Sequence, residues 1–90
     1  MVEGGVTAYI LVVVSIGKEH NVAKRIASEV DGVIEVGVTY GEYDLVVKAW
    51  ARTFGELDKI VTTIRNMEGV RRTTTLISSS IIPGRKLESK

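Results

Sequence analysis

Ninety residues, 44% of them hydrophobic and 26% charged, are enough for one core, too few for two domains, and too apolar for a disordered chain. A net charge of +1 leaves no electrostatic footprint for nucleic acid; the lack of cysteine excludes disulfides and thiolate metal sites, and one histidine makes no histidine-rich cluster. The apolar stretch Ala8–Val14 is too short to span a bilayer and follows no basic segment, so the expected location is cytoplasmic.

Met1–Val6 reads as a short glycine-containing lead-in. Thr7–Ser15 is a β-branched run, read as a strand buried on both faces and broken by Gly17-Lys18. Glu19–Val30 places Val22, Ala23, Ile26, Ala27 and Val30 at helical spacing, with Lys24, Arg25, Ser28 and Glu29 opposite. Asp31-Gly32 ends that helix, because glycine accepts the left-handed conformation beyond a helix C-terminus. Val33–Tyr40 is a second strand, and Gly41-Glu42 predicts a tight hairpin connection.

Asp44–Ala51 is the third strand. Thr53-Phe54-Gly55-Glu56 is a capping box: Thr53 caps the next helix and Glu56 reaches back to it. That helix is expected to run to about Met67, with Leu57, Ile60, Val61, Ile64 and Met67 on one face. Glu68-Gly69 stops it, and Val70–Ile82 is a fourth strand reaching Pro83-Gly84. Residues 1–90 are read as a single domain, with its core at about 6–83 and a polar tail at 84–90.

The pattern runs twice, with Gly32 and Gly69 marking the repeat 37 residues apart. Two such β-α-β units predict a ferredoxin-like βαββαβ fold: a four-stranded antiparallel sheet with two helices on one face. Strand alternation puts Ala8, Ile10, Val12, Leu45, Val47 and Ala49 under the helices. Tyr9, Leu11, Val13, Val46 and Trp50, with Lys48 among them, then lie on the other face. So large an apolar patch calls for a cover. The simplest is the same face of a second copy, a sheet-to-sheet dimer of the dimeric α+β barrel type.

Catalytic chemistry has little support. His20 stands alone at a helix start, where a solvated role is the usual one, and Glu42 with Asp44 makes an acid pair that a glycine turn explains as well. There is no cysteine nucleophile, no Gly-x-Ser-x-Gly elbow and no phosphate loop, so no catalytic residue, cofactor or metal is expected. RNA-recognition motifs share this topology and stack bases on sheet aromatics, but here Tyr9 and Trp50 are the only candidates, and the basic residues are scattered. Direct nucleic-acid binding is therefore not expected. The turn Tyr40-Gly41-Glu42-Tyr43-Asp44 and the hydroxyl-rich run Thr73-Thr74-Thr75 together offer an ammonium acceptor and carboxylate donors. An ordinary hairpin turn and a β-branched strand would account for the same residues.

The succession Gly41-Glu42-Tyr43-Asp44-Leu45-Val46-Val47, a helix, then Gly69-Val70-Arg71-Arg72-Thr73-Thr74-Thr75 resembles the effector domain of the Lrp/AsnC transcription regulators. The resemblance covers about residues 6–83 and implies paired sheets, assembly into octamer-like rings, and amino-acid effectors bound in clefts between dimers. It implies that Gly41, Tyr43 and Asp44 form the effector-binding turn and that Thr73, Thr75 and Ile77 are the fourth-strand positions responding to effector. Tyr40 departs from the Thr or Ser common in the family, and no helix-turn-helix precedes the first strand. The implied protein is an amino-acid-sensing module acting alone or with full-length Lrp/AsnC regulators, without contacting DNA itself or a membrane. Two alternatives stand beside it: a structural oligomerisation module without ligand, and a small dimeric α+β barrel enzyme, for which only Trp50 is suitably placed.

Overall fold

A computed structural model describes residues 4–85; residues 1–3 of the lead-in and 86–90 of the expected tail lie outside the described residues. The elements are β1 (Val6–Val14), α1 (Glu19–Glu29), β2 (Val33–Val38), β3 (Leu45–Ala51), α2 (Phe54–Arg65) and β4 (Val70–Ile77). Every neighbouring pair in the sheet is antiparallel, in the order β2-β3-β1-β4, which is the ferredoxin-like arrangement. No helix among the described residues is long and apolar enough to cross a membrane.

Alternation along the central strands divides the chain's two environments. Ala8, Ile10, Val12, Leu45, Val47 and Ala49 are all 0% exposed and pack beneath Val22, Ala23 and Ile26 of α1 and Leu57, Ile60, Val61 and Ile64 of α2. No polar or charged residue among those described is buried in this core. The intervening positions of β1 and β3 are half-buried. β1 is thus covered on one face only, not on both as its composition suggests, because both helices lie on the same side. Ala27 is exposed: at about 100° per residue it falls at the edge of the apolar arc centred on Val22 and Ile26.

α2 starts where expected. Thr53 has extended backbone angles, and its hydroxyl accepts the Glu56 N–H at 3.1 Å. Glu56 reaches one residue further back than the expected box, accepting the Arg52 N–H at 3.1 Å. On the solvent side of α1, the hydrogen bond from Arg25 holds the Glu29 carboxyl below its ordinary value; both groups are exposed and screened by water.

Strand ends differ from the expected ones because partners set them. β4 stops at Ile77, not Ile82: Ile77 stands opposite Ala8, the Ser78 N–H bonds Thr7 O at 2.9 Å, and β1 begins just beyond. β2 stops at Val38, not Tyr40, since Thr39 turns its N–H and hydroxyl into the following loop. The helices end one to two residues early, at Glu29 and Arg65.

Gly32 and Gly69 both adopt positive φ, +93° and +95°. At Gly32 a Cβ would also sit 2.7 Å from Ile60 Cδ1 and 2.9 Å from Trp50 O. Gly32→Ala is therefore expected to destabilise the fold by about 2 kcal/mol, combining left-handed strain with a backbone clash. Gly41→Ala, at φ +118° with nothing within 4 Å, should show the strain alone. Urea denaturation of the two variants checks the difference.

Candidate functional site: a glycine turn over a cleft at one sheet end

The β2–β3 connection is a closed loop, wider than a tight hairpin. The Thr39 N–H donates to Asp44 O at 2.9 Å and its hydroxyl to Tyr43 O at 2.8 Å. Asp44 fastens the loop to β1: its N–H donates to Val12 O at 2.8 Å, and its Oδ2 accepts the Val14 N–H at 2.8 Å. The carboxylate thus continues the β1–β3 ladder past the last backbone acceptor of β3. Its Oδ1 has no hydrogen-bond partner among the described residues.

Beside this loop lies a cleft of about 450 Å³ lined by Val38, Thr39, Tyr40, Gly41, Asp44 and, from the start of α1, Glu19 and His20. Gly41 leaves the cleft rim open, and Tyr40 is fully exposed beside it. α1 opens at Lys18 without a side-chain cap, and its first closed turn is Val22 N–H to Lys18 O. The amides of Glu19, His20 and Asn21 precede that turn and have no acceptor among the described residues. The cleft is thus bordered by the Asp44 and Glu19 carboxylates and by the uncapped start of α1, whose amides carry partial positive charge. Among the described residues no group of three His, Cys, Asp or Glu side chains could hold a metal ion.

The expected site residues separate into two groups. Gly41, Tyr43 and Asp44 share the loop, with Gly41 and Asp44 lining the cleft and Tyr43 half-buried outside it. Thr73, Thr75 and Ile77 stand opposite Val12, Ile10 and Ala8, so they point to the helix side of edge strand β4. Strand β1 separates them from β3, two strand spacings or about 10 Å away. The Thr73 hydroxyl is buried there without a partner, Thr75 is half-buried and Ile77 is exposed. The turn and the threonine strand do not meet within one chain. Sequence reasoning missed Glu19 and His20 as cleft residues. The only available signal was topological, since the β1–α1 and β2–β3 loops emerge at the same sheet end.

The expected interface residues share the face away from the helices. Tyr9 stands opposite Lys48, Leu11 opposite Val46, and Thr7 opposite Trp50. Arg72, Thr74 and Leu76 extend the face onto β4 opposite Val13, Leu11 and Tyr9. Tyr9, Leu11, Val13, Val46 and Trp50 are all half-buried. Trp50 lies down on Gly5, where a Cβ would have no room against the indole.

A ferredoxin-like α+β domain with a free apolar sheet face and a glycine turn over an end cleft belongs to the class of small ligand-binding or pairing modules. Residues 7–86 match the model of the Lrp/AsnC ligand binding domain, and the chain belongs to the Lrp/AsnC family. It is similar to the HTH-type transcriptional regulator FL11 of Pyrococcus furiosus, 35% identical over 72 residues that cover 80% of this chain and 47% of that regulator. The chain thus spans about half the length of that relative. A stretch of homocitrate synthase from Saccharolobus islandicus is 42% identical over 55 residues, covering 61% of this chain and 12% of the enzyme. Among solved structures, TTHA0845 of Thermus thermophilus superposes with a TM-score of 0.80 at 35% identity, over 88% of this chain and 99% of that one.

Proposed function

We propose that this domain binds a free amino acid in the cleft under the 39–44 loop and couples binding to the association of copies, serving transcriptional regulation of amino-acid metabolism in the cytoplasm. The observation that carries the reading is that one cleft is lined both by the Asp44 carboxylate and by the start of α1, whose first amides have no cap. In this reading Asp44 Oδ1 accepts the ammonium of the amino acid, and the uncapped amides at the start of α1 receive its carboxylate. Family membership and the likeness to a transcriptional regulator support the regulatory role. The likeness of 55 residues to a stretch of a synthase fits a sensing or assembly role better than either protein's output chemistry.

Association completes the site in this reading. Two copies pair through Tyr9, Leu11, Val13, Val46 and Trp50. Neighbouring dimers then bring a β4 edge, with Thr73, Thr75 and Ile77, toward the cleft of the next copy, closing an octamer-like ring. A full-length Lrp/AsnC regulator can replace one copy through the same face and carry the response to DNA. No catalytic step is assigned to it.

A second reading, a pairing module without ligand, draws on the Asp44–Val14 bond, which gives Asp44 a purely structural task. Titration with each of the twenty amino acids separates the two. Binding at a hundredfold excess over Kd adds about 2.7 kcal/mol, a rise in melting temperature of about 10 °C or more. A shift with one amino acid, accompanied by a larger species in light scattering, is the expected result. No shift with any of them leaves the pairing module.

A further inference from the structure

We infer that Glu35 pairs with Lys48 and neutralises its ammonium when a second copy of this chain packs on the open sheet face. The inference rests on the sheet-to-sheet pairing proposed above and names the residues that specify it.

Lys48 is the one lysine on that face among the described residues. It lies between Tyr9 on β1 and Glu35 on β2, with Val46 and Trp50 two residues away along β3. The remaining charged group on the face is Arg72, exposed at the β4 edge opposite Val13. A lysine stem suits apolar neighbours, but its ammonium needs water or an anion. Covering the face removes the water, and Glu35 is the carboxylate within reach.

The pairing of β2 with β3 puts it there. Val33 pairs with Ala49 and Glu35 with Lys48, so Ile34 is an extra residue forming a bulge. Residues 35–38 share the register that leads into the β2–β3 connection, so Glu35 stands opposite Lys48, and the extra residue returns Val33 to the core side opposite Ala49. Within one chain the reward is absent: the ion pairs among the described residues are Arg25–Glu29 and Arg52–Glu56, both away from this face.

Gly37 is a second, independent sign. It stands opposite Val46 on the same face with φ outside the left-handed region. A Cβ there would meet only Val46 O, at 3.9 Å. Nothing in the single chain calls for glycine, and strands disfavour it. A bare patch beside an acid–base pair is self-complementary to a second copy approaching closely.

The test measures the dimer dissociation constant by sedimentation on dilution for the wild type, Glu35→Gln, Lys48→Met, the double variant and Gly37→Val. Glu35→Gln alone is expected to weaken the dimer about tenfold or more, because it strands a covered ammonium. In the Lys48→Met background the same change is expected to have little effect. Gly37→Val should weaken the dimer while leaving the melting temperature of the diluted monomer unchanged or higher. Equal effects of Glu35→Gln in both backgrounds overturn the ion pair, and an unchanged constant in Gly37→Val overturns the close approach. A wild type that stays monomeric at every concentration instead removes the pairing itself.

Discussion

Ile10→Ala is expected to lower the unfolding free energy by about 2–5 kcal/mol, the range for removing a large aliphatic side chain from a closed core. Ile10 is 0% exposed at the middle of β1, flanked in the sheet by Val47 and Thr75 and covered by the helices. No loop can collapse into the space, since both sheet neighbours are held in the ladder. At about 4–8 °C per kcal/mol for a domain of this size, the melting temperature should fall by about 10 °C or more. Leu11→Ala, one residue along, provides the contrast. Its side chain lies half-buried on the open face, so the diluted monomer should lose much less, with the deficit appearing in dimer affinity. Equal losses in monomeric samples of the two variants would contradict the division of faces.

Asp44 separates structure from ligand binding when two substitutions are compared. Asp44→Ala removes the acceptor of the Val14 N–H and leaves that partly buried amide unpaired, an expected cost of about 1–3 kcal/mol. Asp44→Asn retains a side-chain oxygen for the same bond and should keep most of the stability. Both variants lose the negative charge facing the cleft. Effector affinity should therefore fall about tenfold or more in each, the difference between a charged and a neutral hydrogen-bond partner. Calorimetric titration with the amino acid found in the panel, beside thermal melts, reads both effects. If Asp44→Asn binds as tightly as the wild type, the carboxylate serves only the ladder. That result favours the module without ligand.

Together these variants describe a domain whose two sheet faces do different work. The helix side supplies stability within one chain. The open side carries half-buried apolar side chains, and the end cleft is lined by the Asp44 carboxylate; these are the groups that the proposed second copy and ligand would engage. The FL11 regulator and the homocitrate synthase each match part of this chain within a longer chain.

Much of this was legible in the residue order. Period-two alternation assigned Ala8, Ile10 and Val12 to one face and Tyr9, Leu11 and Val13 to the other without reference to any partner. Helical spacing located α1 and α2, and Gly32 and Gly69 marked where each helix had to stop. These features depend on neighbours near in the chain, so they can be read along it. What only the tertiary structure decided depends on residues far apart. β4 ends at Ile77 because β1 runs out, and Val33 returns to the core side because of a bulge at Ile34 measured against β3. Thr73 and Thr75 point to the helix side because Val12 and Ile10 do. His20 joins the Asp44 cleft because two loops leave the sheet at the same end. Register and strand length are set by hydrogen bonds between strands, and local pattern carries no record of the partner that forms them.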